Sequence, residues 1–418
     1  MLAVLLCNSD RQYDITTRRG TEEMKTSGID ELNLKPPPYE GGSIVNLMAS
    51  ILSATGGQGQ YAELQGLDTQ HLASAQHIVL LVIDGLGFQF LQSCPAGDVM
   101  RLHLKRSMTS VFPPTTATAI TTYLTGLAPR QHGLTGWFMY FKELDTVATV
   151  LPFTTRMGAV PLTDFGVSAR TLLGHEPVFD GIDRNCFCVS PLQIAHSEFN
   201  RSHTGKAEIK PYDSLMEFFS TIEDVITQTN GKTFTYAYWS KLDHLSHVNG
   251  VNSLCVEKHL AELDAGFDEL QHRVEGTDTI LLVAADHGFV DISPDRIIKV
   301  SDHPELRETL RVPLCGEPRT AYCYVSPARS HAFLEYVESE LADYALCVES
   351  ETLIQQGYFG PGPSHPGLRD RIGNFTLLMR DGYAIQDTLP GEDPPTLVGM
   401  HGGSSSAELQ VPLIIAEA

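Results

Sequence analysis

Residues 78–85 are IVLLVIDG, and residues 280–288 are ILLVAADHG. Each stretch is an apolar run that ends at an aspartate followed closely by a glycine. Such a run is typical of a strand that is buried on both faces of a parallel sheet. Open α/β sheets bind their ligands just beyond the carboxyl ends of the strands. The two stretches therefore predict that Asp84, Asp286 and His287 meet at one sheet edge, where they form a candidate metal site.

The order of the other patterns predicts the fold class. Apolar residues recur at helical spacing in 212–228 and 256–274, whereas 234–239 and 411–416 have the pattern of buried strands. Strands that alternate with helices are typical of α/β proteins with a parallel sheet. We therefore expect an α/β fold with a three-layer αβα core, a mainly parallel sheet and a small α+β cap.

Changes in composition along the chain predict its domain organisation. Residues 1–42 are polar, end in a proline- and glycine-rich stretch, and are predicted to be an N-terminal extension. Residues 43–290 contain most of the strand and helix patterns and are the predicted catalytic core. Residues 291–396 mix short strands with turn residues, which indicates an inserted cap. Residues 397–418 return to the core with a histidine and a last strand.

Charge and hydrophobicity exclude some classes of protein. The chain has 418 residues, of which 42% are hydrophobic, so it can form a full core. Its formal net charge of -22 disfavours binding to duplex nucleic acid or to an anionic membrane surface. An anionic substrate would need local positive charge, which bound metal ions can supply. The oligomeric state stays open.

The cellular location is predicted from what the sequence lacks. It has no stretch of the roughly 20 apolar residues that a membrane span needs. The apolar start at residues 1–7 is short and lacks a basic residue, so it is not a typical signal peptide. The eight cysteines are scattered without a metal or redox spacing, which favours a reducing compartment. A cytoplasmic location is the resulting expectation.

Three further segments add candidate groups to the predicted sheet edge. Asp243 and His247 follow strand 234–239 and are four residues apart, so one helical turn places them on the same face. His401 lies in a glycine-rich loop before the last strand. Oxygen and imidazole ligands together suit zinc, and manganese and iron accept them as well. Thr116 begins a predicted helix at 117–124, where its hydroxyl could bind a metal and attack an anionic group.

Taken together, these motifs resemble the alkaline phosphatase superfamily, and within it the nucleotide pyrophosphatase/phosphodiesterase-like (type I phosphodiesterase) branch. The resemblance extends from about residue 75 to the end of the chain. It depends on five motifs in the right order, because each alone is weak. They are Asp84-Gly85, Phe112-Pro-Pro-Thr-Thr116 through Thr125-Gly126, Asp243-x-x-x-His247, Asp286-His287-Gly288 and His401-Gly-Gly403.

The resemblance implies a small phosphate ester or nucleotide-like substrate, a reaction and a division of ligands. Thr116 would form a phospho-threonine intermediate, since the family places a Thr-Gly pair nine residues after its nucleophile and Thr125-Gly126 fits that distance. Two zinc ions are implied. One would be held by Asp84, Thr116, Asp286 and His287, and the other by Asp243, His247 and His401.

The sequence departs from the family pattern near the nucleophile, which leaves the substrate open. Ala119 stands where the family has an asparagine, and Ser246 replaces a glycine before His247. A phosphomonoesterase, a phosphonate hydrolase and a non-catalytic ligand-binding relative therefore stay as alternatives to a phosphodiesterase. A sulfatase is disfavoured because Thr116 lacks that enzyme's cysteine or serine context. Among the other histidines, His132 is predicted to be structural, and His175 and His203 have no motif around them.

Overall fold

We describe the chain from a computed structural model. The description covers Ile29, residues 34–392 and residues 396–418. Most of the predicted extension 1–42 therefore lies outside the described residues. Within them, the strands β1 to β18 are, in order, His77–Ile83, Leu104–Thr109, Phe138–Phe141, Thr146–Thr149, Thr154–Thr155, Asn185–Pro191, Glu208–Tyr212, Thr233–Trp239, Thr279–Ala284, Val290–Asp291, Ile297–Lys299, Cys315–Glu317, Thr320–Cys323, Ala345–Glu349, Phe375–Met379, Ala384–Gln386, Gly399–Met400 and Gln410–Glu417.

The α-helices of the same residues alternate with these strands along most of the chain. Helices α1 to α17 are, in order, Ile44–Ala54, Thr69–Ser74, Phe88–Ser93, Asp98–Leu102, Thr116–Thr125, Pro129–His132, Ala169–Leu173, Leu192–Ala195, Glu198–Thr204, Leu215–Gln228, Lys241–Asn249, Leu254–Arg273, Pro304–Thr309, Ser330–Tyr336, Ser350–Gln355, Leu368–Arg371 and Ser406–Leu409. None of them is both long and apolar enough to cross a membrane. The cytoplasmic location stays a prediction.

A large mixed sheet forms the centre of the molecule. Its seven strands have the order β2-β18-β9-β1-β8-β6-β7. β18 is antiparallel to both of its neighbours, and the five strands from β9 to β7 pair in parallel. Every residue of β1, β8 and β9 is buried, as expected for central strands covered on both faces. The prediction of an α/β fold with a mainly parallel sheet is confirmed.

A second sheet, also of seven strands, is antiparallel throughout. Its order is β14-β15-β13-β12-β3-β4-β5, so it joins strands from residues 138–155 to strands from 315–379. The two groups meet where Gly316 pairs with Phe138. A Cβ on Gly136 would lie 2.6 Å from Gly316 Cα, so glycine is needed for this close approach. The second sheet thus includes strands from both sides of the predicted boundary at residue 291.

Candidate metal and phosphoryl-transfer site

The carboxyl ends of three adjacent central strands converge on one edge of the large sheet. Asp84 directly follows β1, and Asp286 and His287 come just after β9. β8, on the other side of β1, leads into α11, which contains Asp243 and His247 one turn apart. Parallel strands that end at the same level deliver these five side chains together.

Two further segments complete the site. Thr116 is the first residue of α5. The preceding strand β2 ends at Thr109, and residues 110–115 connect it to this helix. His401 directly follows β17, which pairs with β10 close behind His287. The rings of His287 and His401 therefore stack with centroids 3.7 Å apart.

The predicted ligands form two groups of three. In each group, one nitrogen or oxygen atom per residue lies within 4.8 Å of the others. Asp243 links the groups, because its Oδ1 is 3.4 Å from His247 Nε2 and 3.9 Å from His287 Nε2. The first group is Asp84, Asp286 and His287, and the second is Asp243, His247 and His401.

Two of the three carboxylates, those of Asp84 and Asp286, are each held in place through one oxygen. Asp286 Oδ1 accepts hydrogen bonds from the backbone N–H groups of Gly85 and His287, both at 3.0 Å. Asp84 Oδ2 accepts one from the Tyr238 hydroxyl. By contrast, Asp84 Oδ1, Asp243 Oδ1 and Asp286 Oδ2 are buried and have no hydrogen-bond partner among the described residues. Buried oxygens of this kind are rare unless they bind an ion or water.

Two histidines are oriented in the way that metal-binding histidines usually are. His247 Nδ1 lies 2.8 Å from Gly399 O, and His287 Nδ1 lies 3.1 Å from Gly288 O. A carbonyl only accepts, so each Nδ1 carries the proton and each Nε2 has a free lone pair. The Nε2 of His287 is 3.2 Å from Asp84 Oδ1. The contacts of Nδ1 with a backbone carbonyl are of the kind that fixes the tautomer and the ring orientation of a histidine ligand.

The protonation equilibria indicate that the site needs positive charge. Burial raises the pKa of Asp84 to about 6. Burial, and then the charge of Asp84, hold the pKa values of Asp243 and Asp286 well above their usual range. Burial also lowers the pKa of His247 to about 4, so this ring is neutral. The site thus combines three carboxyl groups with neutral imidazoles. This combination fits divalent cations, because a cation offsets the repulsion between the carboxylates and binds the free lone pairs of the ring nitrogens.

Thr116 lies at the first of the two groups. Its Oγ1 is 3.2 Å from His287 Nε2. It also begins a buried helix, and the free N–H groups of a helix start attract anions. The structure therefore brings all seven predicted site residues together, and none of them lies elsewhere.

Two residues near the site were not predicted. Tyr238 orients Asp84, and its backbone oxygen accepts a hydrogen bond from the Tyr212 hydroxyl at 2.7 Å. The only sequence signal for it is a tyrosine near the end of a buried strand. Glu317 comes from β12 of the second sheet and accepts a hydrogen bond from Thr115 Oγ1 at 2.6 Å. No motif surrounds Glu317, so the sequence offers no signal for it.

Comparisons with known proteins agree with this geometry. Residues 78–404 match the family described as type I phosphodiesterase / nucleotide pyrophosphatase. No curated protein sequence matches the chain. Among solved structures, murine ectonucleotide pyrophosphatase / phosphodiesterase 5 is 16% identical, with a TM-score of 0.60 over 80% of this chain and 87% of that one. The human protein gives the same identity and TM-score over 81% of this chain. At this identity the likeness shows the fold.

Proposed function

Because the chain belongs to the type I phosphodiesterase / nucleotide pyrophosphatase family and is a phosphodiesterase-like hydrolase, we propose that it cleaves phosphodiester or pyrophosphate bonds through Thr116. One observation carries the proposal. Thr116 begins a buried helix, and its hydroxyl lies 3.2 Å from His287 Nε2, beside two groups of candidate ligands. In these groups, Asp84 Oδ1, Asp243 Oδ1 and Asp286 Oδ2 have no hydrogen-bond partner among the described residues. A nucleophile, an anion-binding helix start and two candidate metal positions are the parts that phosphoryl transfer requires.

We assign two zinc ions to the site, the first to Asp84, Thr116, Asp286 and His287 and the second to Asp243, His247 and His401. Mixed carboxylate and imidazole ligands suit zinc best, although other divalent metals fit them too. When bound, such ions lower the pKa of a coordinated hydroxyl and neutralise charge on the phosphoryl oxygens.

The residues of the chain then have separate parts in the reaction. Thr116 passes its hydroxyl proton to solvent, and its Oγ1 forms a bond to phosphorus while the bond to the leaving oxygen breaks. The leaving oxygen takes up a proton from solvent. The backbone N–H groups at the start of α5 hold a phosphoryl oxygen. Water next attacks the phospho-threonine, releases phosphate or its monoester, and returns a proton to Thr116. Asp84 and Asp286 stay fixed through Tyr238 and Gly85 during both steps.

The substrate is proposed to be small and nucleotide-like. One of the similar structures is an inactive variant of murine ectonucleotide pyrophosphatase / phosphodiesterase 5 in complex with AMP. We assign the large sheet and its helices to a three-layer αβα core. We assign the second sheet to the cap that selects the leaving group, because Glu317 of β12 contacts Thr115, the residue before the nucleophile.

The test is metal content together with hydrolysis of two model substrates. We expect about two zinc ions per chain by elemental analysis and faster cleavage of bis-p-nitrophenyl phosphate than of p-nitrophenyl phosphate. Thr116→Ala should abolish turnover. Thr118→Ala, on the same helix, is the matched control, because the buried Thr118 hydroxyl has no hydrogen-bond partner to lose. Faster monoester cleavage would instead indicate a phosphomonoesterase. Absence of metal, or full activity of the Thr116 variant, would rule out the mechanism.

A further inference from the structure

Glu317 is a buried carboxylate beside the nucleophile, and the proposed reaction does not use it. It is the last residue of β12, and its exposed fraction is 8%. Thr115, the residue before the nucleophile, donates a hydrogen bond to Glu317 Oε1 at 2.6 Å. On another side, a Cβ on Gly402 would lie 2.7 Å from Glu317 Cβ. Glu317 therefore lies between the start of the nucleophile helix and the loop that carries His401.

Only one oxygen of Glu317 is engaged. Oε1 also accepts the backbone N–H of Trp137, at 2.7 Å, so both donors share this oxygen. Within the part of the chain that the structure describes, Oε2 has no hydrogen-bond partner, and no lysine or arginine pairs with the carboxylate. Arg319, two residues along, is instead bound to Glu408 at 2.7 Å. The negative charge of Glu317 is thus not compensated by a cationic side chain.

The bond from Thr115 also shapes the start of the nucleophile helix. Thr115 is the N-cap residue of α5, and an N-cap threonine usually accepts a hydrogen bond from the first turn. Here its side chain makes no such bond and donates to Glu317. The N–H groups of Thr116 and Ala117 have no acceptor among the described residues. These are the groups that the proposed reaction needs for a phosphoryl oxygen.

We propose that Glu317 is a specificity residue that makes the site favour phosphodiesters over phosphate monoesters. A diester has one negative charge at the phosphoryl group, whereas a monoester has close to two at alkaline pH. A fixed carboxylate next to the start of the helix repels the second charge more than the first. Its carboxylate is close to the nucleophile, because Oε1 accepts the hydrogen bond from Thr115, the residue directly before Thr116. The inference rests on the proposed function.

The experiment compares Glu317→Gln with Glu317→Asp at about pH 8.5. Burial raises the pKa of Glu317 to about 7, so the carboxyl is ionised at that pH. The glutamine retains an acceptor for Thr115 and Trp137 but has no charge, whereas the aspartate retains the charge. We expect the ratio of kcat/KM for p-nitrophenyl phosphate to that for bis-p-nitrophenyl phosphate to rise about tenfold in Glu317→Gln. The aspartate variant should retain the low ratio of the wild type.

Equilibrium binding gives a second readout that does not depend on turnover. The zinc-loaded Glu317→Gln protein should bind inorganic phosphate about tenfold more tightly than wild type by calorimetry. Glu143→Gln, which changes a half-exposed carboxylate away from the site, should alter neither quantity. Glu317→Met is a second uncharged variant in case the glutamine variant does not fold.

An unchanged ratio and unchanged phosphate affinity in a folded uncharged variant would overturn the inference. A wild type that hydrolyses neither substrate would instead overturn the proposed function. The two failures are therefore distinguishable.

Discussion

Two clusters of histidines lie in the interior of this molecule, and their surroundings are opposite. The metal-site cluster consists of His247, His287 and His401, and three aspartates face it. The second cluster has His175 at its centre, with ring centroids 5.8 to 6.0 Å from each of its neighbours. Those neighbours are His132, His203 and His365.

The difference shows which feature makes a buried histidine a metal ligand. In the second cluster, burial and the other basic groups, Arg371 among them, lower the pKa values of His132 and His175. No three of its ligand atoms lie within 4.8 Å of one another, as far as the described residues show. Among the described residues, neither ring nitrogen of His175 has a hydrogen-bond partner. The second cluster therefore consists of neutral core histidines, whereas the carboxylates of the first attract a cation.

The largest expected effect is a difference in activity between a variant of the first cluster and a variant of the second. His287→Ala should lower kcat/KM for bis-p-nitrophenyl phosphate by about a thousandfold or more, because it removes a proposed metal ligand beside the proposed nucleophile. His175→Phe should stay within a few-fold of wild type, because His175 touches no reacting group. Steady-state kinetics on zinc-loaded proteins measures both. Equal losses in the two variants would remove the distinction between the clusters.

The second effect is on stability at acidic pH. Burial lowers the pKa of His175 to about 3 and that of His203 to about 4, below the unfolded value of about 6.5. Above that value, the two histidines are neutral in both the folded and the unfolded protein, so they do not lower the free energy of unfolding there. As the pH falls further, the unfolded chain takes up protons first. Each histidine then removes roughly 1.4 kcal/mol of stability per pH unit.

Urea unfolding between about pH 6.5 and pH 5 with chelator present tests this expectation. His175→Phe should have a shallower fall in the free energy of unfolding than wild type. His331→Phe, whose histidine side chain is 87% exposed, is the control and should retain the wild-type slope. The same slope in all three proteins would show that His175 is not held neutral.

The smallest expected effect is a change in stability whose sign depends on whether metal is bound. In the metal-free protein, burial and the charges of Asp84 and Asp286 raise the pKa of Asp243. A carboxyl with a raised folded pKa destabilises the protein above its unfolded pKa of about 3.9. Asp243→Asn should therefore stabilise the chelated protein by about 1 kcal/mol at neutral pH. With excess zinc, the order should reverse, because the wild type binds more tightly.

Urea unfolding with and without chelator measures both states of the Asp243 variant. Asp268→Asn, at a half-exposed aspartate on α12, is the control and should not change sign. Lower stability of the Asp243 variant in both conditions would mean that no repulsion exists at the site.

Much of the site could be predicted because its residues stand next to strong local patterns. Asp84 and Asp286 follow apolar runs that are typical of buried strands, and the carboxyl ends of parallel strands lie at the same edge of a sheet. The distance from Thr125-Gly126 predicts Thr116 as the nucleophile, and α5 extends from Thr116 to Thr125. The division of ligands and the domain boundaries stay predictions.

The rest depends on contacts between distant segments. Glu317 reaches Thr115 only because β12 pairs with β3, and the short strands β3 to β5 have no periodic pattern long enough to predict. The second histidine cluster likewise joins residues from four segments. Nothing near His175 in the sequence distinguishes it from a ligand such as His401, because the difference lies in the carboxylates that the fold places around each ring.

The most direct test of this distinction is a crystal structure of the zinc-loaded protein with anomalous scattering measured at the zinc edge. We predict two peaks, one among Asp84, Asp286 and His287 and the other among Asp243, His247 and His401, with none near His175. A peak among the rings of the second cluster, or no peak at the carboxylates, would contradict the account.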